Sequence, residues 1–140
     1  MLRNDTKLLH KELSYLIQGC AFEIRKRYGA GHKENVYKNL MADFIHEKGL
    51  RVEKEKGIPV FSDKSGKIVG KYQPDLVVDG KIILELKASK LTTLQDIRQL
   101  DYYLKNSVYE LGYLVNFGTP HLFIKRRIYT NDRKHFRVLS

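Results

Sequence analysis

Leu9, Leu13, Leu16, Ile17, Cys20 and Ile24 recur three and four residues apart, the spacing that lines apolar groups along one stripe of a helix. A first helix is predicted from about residue 6 to about residue 28, with Asn4, Asp5 and Thr6 as candidate N-caps. Gly29-Ala30-Gly31 interrupts the pattern. A second helical stripe then runs through Val36, Tyr37, Leu40, Met41, Phe44 and Ile45, and Gly49 supplies its stop. From Leu50 the period shortens to two, with Val52, Ile58 and Val60 interleaved with Arg51, Glu53 and Glu55. Pro59 marks an edge or irregular strand, because it has no backbone N–H to donate. A turn over 62–66 and a strand over 67–72 lead directly into Pro74-Asp75, so an antiparallel meander is expected. Asp79-Gly80 between β-branched runs is a strong hairpin signal. Thr92 or Thr93 caps a third helix carrying Leu94, Ile97, Leu100, Tyr103 and Leu104 and ending near Asn106. The apolar runs 111–117 and 122–128 read as final strands joined through Gly118-Thr119-Pro120. Two helices, a run of strands, a helix and two more strands place the chain in the α/β class, with a mixed sheet flanked by helices.

Composition narrows the picture. At 140 residues and 42% hydrophobic, residues 1–140 suit a single domain with a real core and are too few for two. The 26 Lys and Arg outnumber the 16 Asp and Glu, a formal net charge of +10 that favours a polyanionic partner such as nucleic acid. The basic face of the first helix, with Lys11, Arg25, Lys26 and Arg27, is read by default as solvated rather than as a phosphate contact. Cys20 is the single cysteine and has no partner for an internal disulfide, which fits a reducing compartment. No signal-peptide pattern and no membrane-length apolar run are present, so a cytoplasmic protein without membrane association is expected.

The candidate chemistry lies in Gln73 to Lys87. With a period of two, Ile83, Glu85 and Lys87 share one face of the second hairpin strand and Ile82, Leu84 and Leu86 the other. Charges on the inner face of a buried strand are costly unless they are paired or bind something, although a hairpin with one solvated face accommodates them without function. Glu34 in a first helical turn likewise has a simple explanation in the positive end of the helix dipole, and Tyr37 one in the core. The five histidines never take His-Glu-x-x-His or paired Cys/His zinc spacing, and neither a dinucleotide fingerprint nor a phosphate loop follows the early glycines. No serine or cysteine has a nucleophile-elbow context. Carboxylates and one lysine remain. Asp75 and Glu85 suit a hard, oxygen-seeking cation such as Mg2+ or Mn2+, and Lys87, two residues past Glu85, is placed to orient an attacking water and offset charge developing on a phosphate.

Pro74-Asp75 followed by Glu85-Leu86-Lys87 resembles the PD-(D/E)xK signature of the restriction-endonuclease-like nuclease superfamily. Gly31-His32-Lys33-Glu34-Asn35-Val36-Tyr37 is similar to the motif that names its GxxExxY family, and the blocks at 75–78, 83–88, 99–104 and 115–118 are similar as well. The resemblance spans roughly residues 29–127 and implies an α-β-β-β-α-β core and a metal-dependent nuclease. Carried over residue by residue, it implies Glu34 as a carboxylate donated by the helix before the sheet, Asp75 and Glu85 as strand ligands and Lys87 as the active-site lysine. Gln99 and Tyr103 match the Gln-x-x-x-Tyr element of related RecB-like nucleases, which helps to hold the site and the nucleic acid. The Leu86 backbone carbonyl is expected as a further metal ligand, and Lys90, Arg98 and Lys105 as phosphate contacts. DNA is the partner expected ahead of RNA, and a homodimer is the natural arrangement for cutting both strands of a duplex. The competing expectation is a catalytically silent basic module on the same fold that binds nucleic acid or assembles a complex; a weaker one gives the charge only a solubilising role.

Overall fold

A computed structural model describes residues 9–136. The first helix, α1 (Lys11–Tyr28), starts after His10, which takes a left-handed conformation and caps nothing with its side chain; the expected caps at Asn4, Asp5 and Thr6 lie outside the described residues. Gly29 ends it with φ 72°, a conformation that glycine adopts without strain. The second helix, α2 (Glu34–Glu47), opens on Glu34 and stops before Gly49, whose φ is 86°. Together they bury Ile17, Cys20, Ala21, Ile24, Tyr37, Met41 and Ile45 against one face of the sheet. Arg25 departs from the solvated role expected of it, because its guanidinium donates to the carbonyls of Phe117 and Pro120 and ties α1 to a turn 92–95 residues away in sequence.

Five strands form that sheet: β1 (Val52–Lys54), β4 (Leu76–Val78), β5 (Ile82–Lys87), β6 (Leu111–Asn116) and β7 (Phe123–Ile128), in the order β1-β4-β5-β6-β7. Only β5 and β6 run parallel. Their crossover is α3 (Leu94–Lys105), the kind of helical connection that parallel neighbours require. Thr93 and Asp96 close a reciprocal capping box at its start, and Asn106 ends it. The mixed α/β architecture expected from the element order is therefore present.

The meander is not. The strands β2 (Ile58–Phe61) and β3 (Ile68–Tyr72) pair with each other in a separate two-stranded sheet, and β1 pairs directly with β4. The chain leaves the main sheet at Glu55, whose φ is 50°, and re-enters at Pro74, with the Glu55 N–H donating to the Asp75 carbonyl across the neck. Between those points the hairpin folds over the second face of the sheet and buries Ile58, Val60 and Tyr72 with Val77, Ile83, Leu100, Leu104 and Leu114. Period-two apolar spacing specifies which side chains are buried but is silent on which strand they pair with, so it could not separate this excursion from a continuous meander.

The β4–β5 turn has the left-handed pair Asp79 (φ 54°) and Gly80 (φ 65°) closed by Lys81 N–H to the Val78 carbonyl, a type I′ turn that fixes the register. Val78 faces Ile82 and Leu76 faces Leu84, so one step further Asp75 stands opposite Glu85. At the other end of β6, Gly118 lies against the loop that follows β5: a Cβ there would come within 2.5 Å of the Ala88 backbone. Gly118→Ala is expected to lower stability by about 2 kcal/mol, because backbone must move to make room. Gly70→Ala, with nothing within 4 Å, should stay within about 0.5 kcal/mol of wild type. Urea unfolding of the two variants measures the contrast.

Candidate active site

Asp75 and Glu85 are cross-strand neighbours on the face that also carries Val77, Ile83 and Lys87. Each carboxylate is held by the other strand's backbone: Leu86 N–H donates to Asp75 Oδ2 at 2.7 Å, and Asp75 N–H donates to Glu85 Oε1 at 3.2 Å. The Leu86 N–H thus points towards β4, and its carbonyl points the same way, since both groups of a strand residue lie on one side. The Lys87 carbonyl points away and accepts from Phe117 N–H at 2.8 Å. Strand alternation therefore sets one backbone carbonyl beside the two carboxylates.

Tyr72 brings the inserted hairpin into this group. Its hydroxyl donates to Glu85 Oε1 at 2.5 Å, and its ring stacks on Tyr103 of α3 with centroids 3.7 Å apart and planes 1° from parallel. Tyr103 reaches the carboxylates only through Tyr72. Gln99, one turn earlier on α3, is exposed, and its side chain makes no hydrogen bond to any described residue.

Glu34 approaches from the other layer, at the start of α2. It is exposed, but partial burial, and next the charge of Asp75, raise its carboxyl above the usual range, while Lys87 and Lys38 act in the opposite sense. Glu34 and Glu85 each feel the charges of Asp75 and Lys87. Lys38, one helical turn after Glu34, was not anticipated: its ammonium lies 2.6 Å from Glu55 and 3.8 Å from Asp75 Oδ1. The spacing of four from Glu34 was a signal available in the sequence. Tyr72 had no such signal, because its contact with Glu85 depends on the path of the hairpin.

A further polar residue fixes the loop that leaves β5. Asn116 is fully buried and all its side-chain valences are used: Oδ1 accepts from Ser89 N–H at 3.1 Å and Gly118 N–H at 2.9 Å, and Nδ2 donates to the Leu91 carbonyl and Thr92 Oγ1. Lys90 is exposed in that loop, Arg98 is exposed on α3, and Lys105 is partly covered near its end. None of the three has an ion pair to a described residue.

Burial, and next the Asp75 charge, push Glu85 up to about 7 even though Tyr72 and the Asp75 N–H stabilise its anion. The same burial and the neighbouring Glu85 raise the Tyr72 phenol far above its ordinary value, so it remains a donor. Among the described residues no three His, Cys, Asp or Glu side chains are grouped so as to hold a metal ion. The donors at hand are two carboxylates, each with one oxygen left over from the backbone bonds, and one carbonyl. That all-oxygen set fits a hard cation that retains waters, and a dication would offset the desolvation and, next, the Asp75 repulsion that raise Glu85.

Residues 11–127 match the family model of the PD-(D/E)XK nuclease superfamily, and the chain belongs to that superfamily. The five-stranded mixed sheet flanked by helices is its restriction-endonuclease-like fold. No curated protein and no solved structure matches the chain. Among the described residues no helix is long and apolar enough to cross a membrane.

The raised Glu85 makes metal-free stability depend on pH. A carboxyl whose folded-state pKa lies above the unfolded value of 4.5 holds its proton more tightly in the folded protein. Its contribution is full below about 4.5 and is lost as pH rises through about 7. In EDTA, wild type should lose about 2 kcal/mol more stability than Glu85→Gln between about pH 5 and about pH 8. Urea unfolding at both values reads the difference, and equal losses would show that Glu85 is not desolvated.

Proposed function

We propose that residues 1–140 are a single nuclease domain of the GxxExxY branch, hydrolysing nucleic-acid phosphodiester bonds with Mg2+ or Mn2+. The observation that carries the reading is the cross-strand placement of Asp75 and Glu85 on one face with Lys87, at a desolvated end of the sheet, in a chain of a nuclease superfamily. Asp75, Glu85 and the Leu86 carbonyl would hold the ion, and Glu34, which is not grouped with them as a third ligand, would add negative charge from α2 beyond the direct ligands. A bound divalent cation supplies Lewis-acid character and positive charge at the scissile phosphodiester. Lys87, on the same face two residues past Glu85, donates a hydrogen bond that orients the attacking water and offsets charge gathering on the phosphoryl oxygens. Tyr72 keeps Glu85 in one orientation, and Tyr103 buttresses Tyr72 from α3. Gln99, one turn from Tyr103 and exposed, contacts the nucleic acid, and Lys90, Arg98 and Lys105 meet its phosphates. The free, buried Cys20 is in keeping with a reducing compartment, and we assign the activity to the cytoplasm.

Asp75→Ala and Lys87→Ala should each lower Mg2+- or Mn2+-dependent cleavage of labelled DNA and RNA by at least about 100-fold, with the circular dichroism spectrum unchanged. Cleavage by both variants at the wild-type rate would overturn the assignment. Calorimetry separates the enzyme from a silent binding module. Loss of Mg2+ affinity in Glu85→Ala supports the enzyme, whereas salt-sensitive nucleic-acid binding without any metal affinity supports the module.

A further inference from the structure

The sequence of α3 sets Arg98, Tyr102 and Lys105 four and three residues apart, so the three share one stripe of the helix, while Leu100 and Leu104 are buried in the core. Tyr102 is 55% exposed, a large aromatic ring left in water between two cations. Arg98 and Lys105 have no ion pair to any described residue, so the stripe is positive as well as aromatic. The β2–β3 hairpin forms its other wall. Phe61 N–H donates to the Asn106 carbonyl at 2.8 Å, which ties the hairpin to the end of α3. Between them lies a cleft of about 280 Å³ lined by Phe61, Val69, Tyr102, Lys105, Asn106 and the acid Asp63. Clefts that enclose drug-sized ligands measure roughly 300–1,000 Å³, so this one suits a single flat ring. Lys64, Lys67 and Lys71 are exposed along the same hairpin.

A chain of ring contacts links this surface to the carboxylates. Tyr102 meets Tyr103 nearly edge-on, with centroids 5.7 Å apart and planes at 78°; Tyr103 stacks on Tyr72 at 3.7 Å; and Tyr72 donates to Glu85 at 2.5 Å. Two rings therefore separate the exposed tyrosine from the site.

We propose that the α3 stripe and the hairpin wall form a binding track for single-stranded nucleic acid, in which an unpaired base stacks on Tyr102 and Arg98 and Lys105 hold the flanking phosphates. The inference rests on the nuclease reading for its direction, since it names the form of polymer that the same site receives. An exposed ring flanked by cations offers a base a π-face and its neighbouring phosphates a charge, the pairing that single-strand binders use without reading sequence. In a duplex the faces of the bases are covered by their own stack, and the ring gains nothing. An apolar peptide would make no use of the five cations along the stripe and hairpin.

The test is binding in EDTA, where cleavage does not intervene, by fluorescence anisotropy. The probes are a labelled oligothymidylate of about 12 nucleotides, within the site sizes of single-strand binders, its oligouridylate counterpart, and a duplex of equal length. Wild type should bind at least one single strand more tightly than the duplex. Tyr102→Ala should weaken that binding about 5- to 150-fold, the range of one lost base stack, and leave duplex binding unchanged. Tyr102→Phe should stay within about twofold of wild type, and Arg98→Gln and Lys105→Gln should each flatten the salt dependence. Equal single-strand affinity in wild type and Tyr102→Ala, equal affinity for duplex and single strand, or binding of none of the probes overturns the proposal. The nuclease reading fails separately: Tyr102-dependent binding without any metal-dependent cleavage removes the enzyme and keeps the track, whereas cleavage lost in Lys87→Ala with Tyr102→Ala binding unimpaired does the reverse.

Discussion

Asp75 and Glu85 each borrow a backbone N–H from the strand that carries the other, and this reciprocal pair is the constraint on which the rest of the site depends. Both bonds exist only in one register of β4 against β5. A slip of β4 by a single residue would send Asp75 to the α1–α2 face, bury an unpaired carboxylate against Leu84 and Leu86, and turn Leu76 away from that core. The type I′ turn at Asp79-Gly80 excludes that slip locally, and the apolar residues on the other face of both strands exclude it globally. Register, turn and hydrophobic pattern thus agree, and their agreement brings two like charges together at the end of a buried sheet.

Such a placement is unfavourable on its own account, and the surrounding elements show how it is tolerated. Tyr72 and two backbone amides stabilise the anions, Lys38 sits near Asp75, and Lys87 lies on the shared face. These do not neutralise the pair, for Glu85 is still raised to about 7. A purely structural ion-pair network would be expected to settle its carboxylates below their ordinary range. Desolvation first, and the Asp75 charge next, remain uncompensated at Glu85, and the divalent cation proposed for the site would offset both.

Much of this was legible in one dimension because it is local. Asp79-Gly80 fixes a turn by backbone geometry, Thr93 caps α3 through Asp96 three residues on, and Glu34 opens α2 where the second apolar stripe begins. What was hidden is non-local pairing. The β2–β3 strands have the alternation of sheet members, and nothing in their spacing announces that they pair only with each other; the positive φ at Glu55 that turns the chain away falls on a residue with no sequence signature for it. Tyr72, Arg25 and Asn116 stayed obscure for the same reason, since each acts on a partner at least thirteen residues away in sequence.

The hairpin excursion also determines what covers the carboxylates. Had β2 and β3 continued the main sheet, the face of β4 and β5 bearing the carboxylates would be covered by α3 alone. Folded over instead, the hairpin delivers Tyr72 to Glu85 from one side and a row of exposed lysines to the outside, while its base is tied to the end of α3. The same segment therefore orients a carboxylate and extends the positive surface beside it. The Tyr72–Tyr103 stack joins the hairpin to α3, and Tyr102 meets Tyr103 nearly edge-on, so the track proposed on α3 is linked by ring contacts to the side chain that orients Glu85.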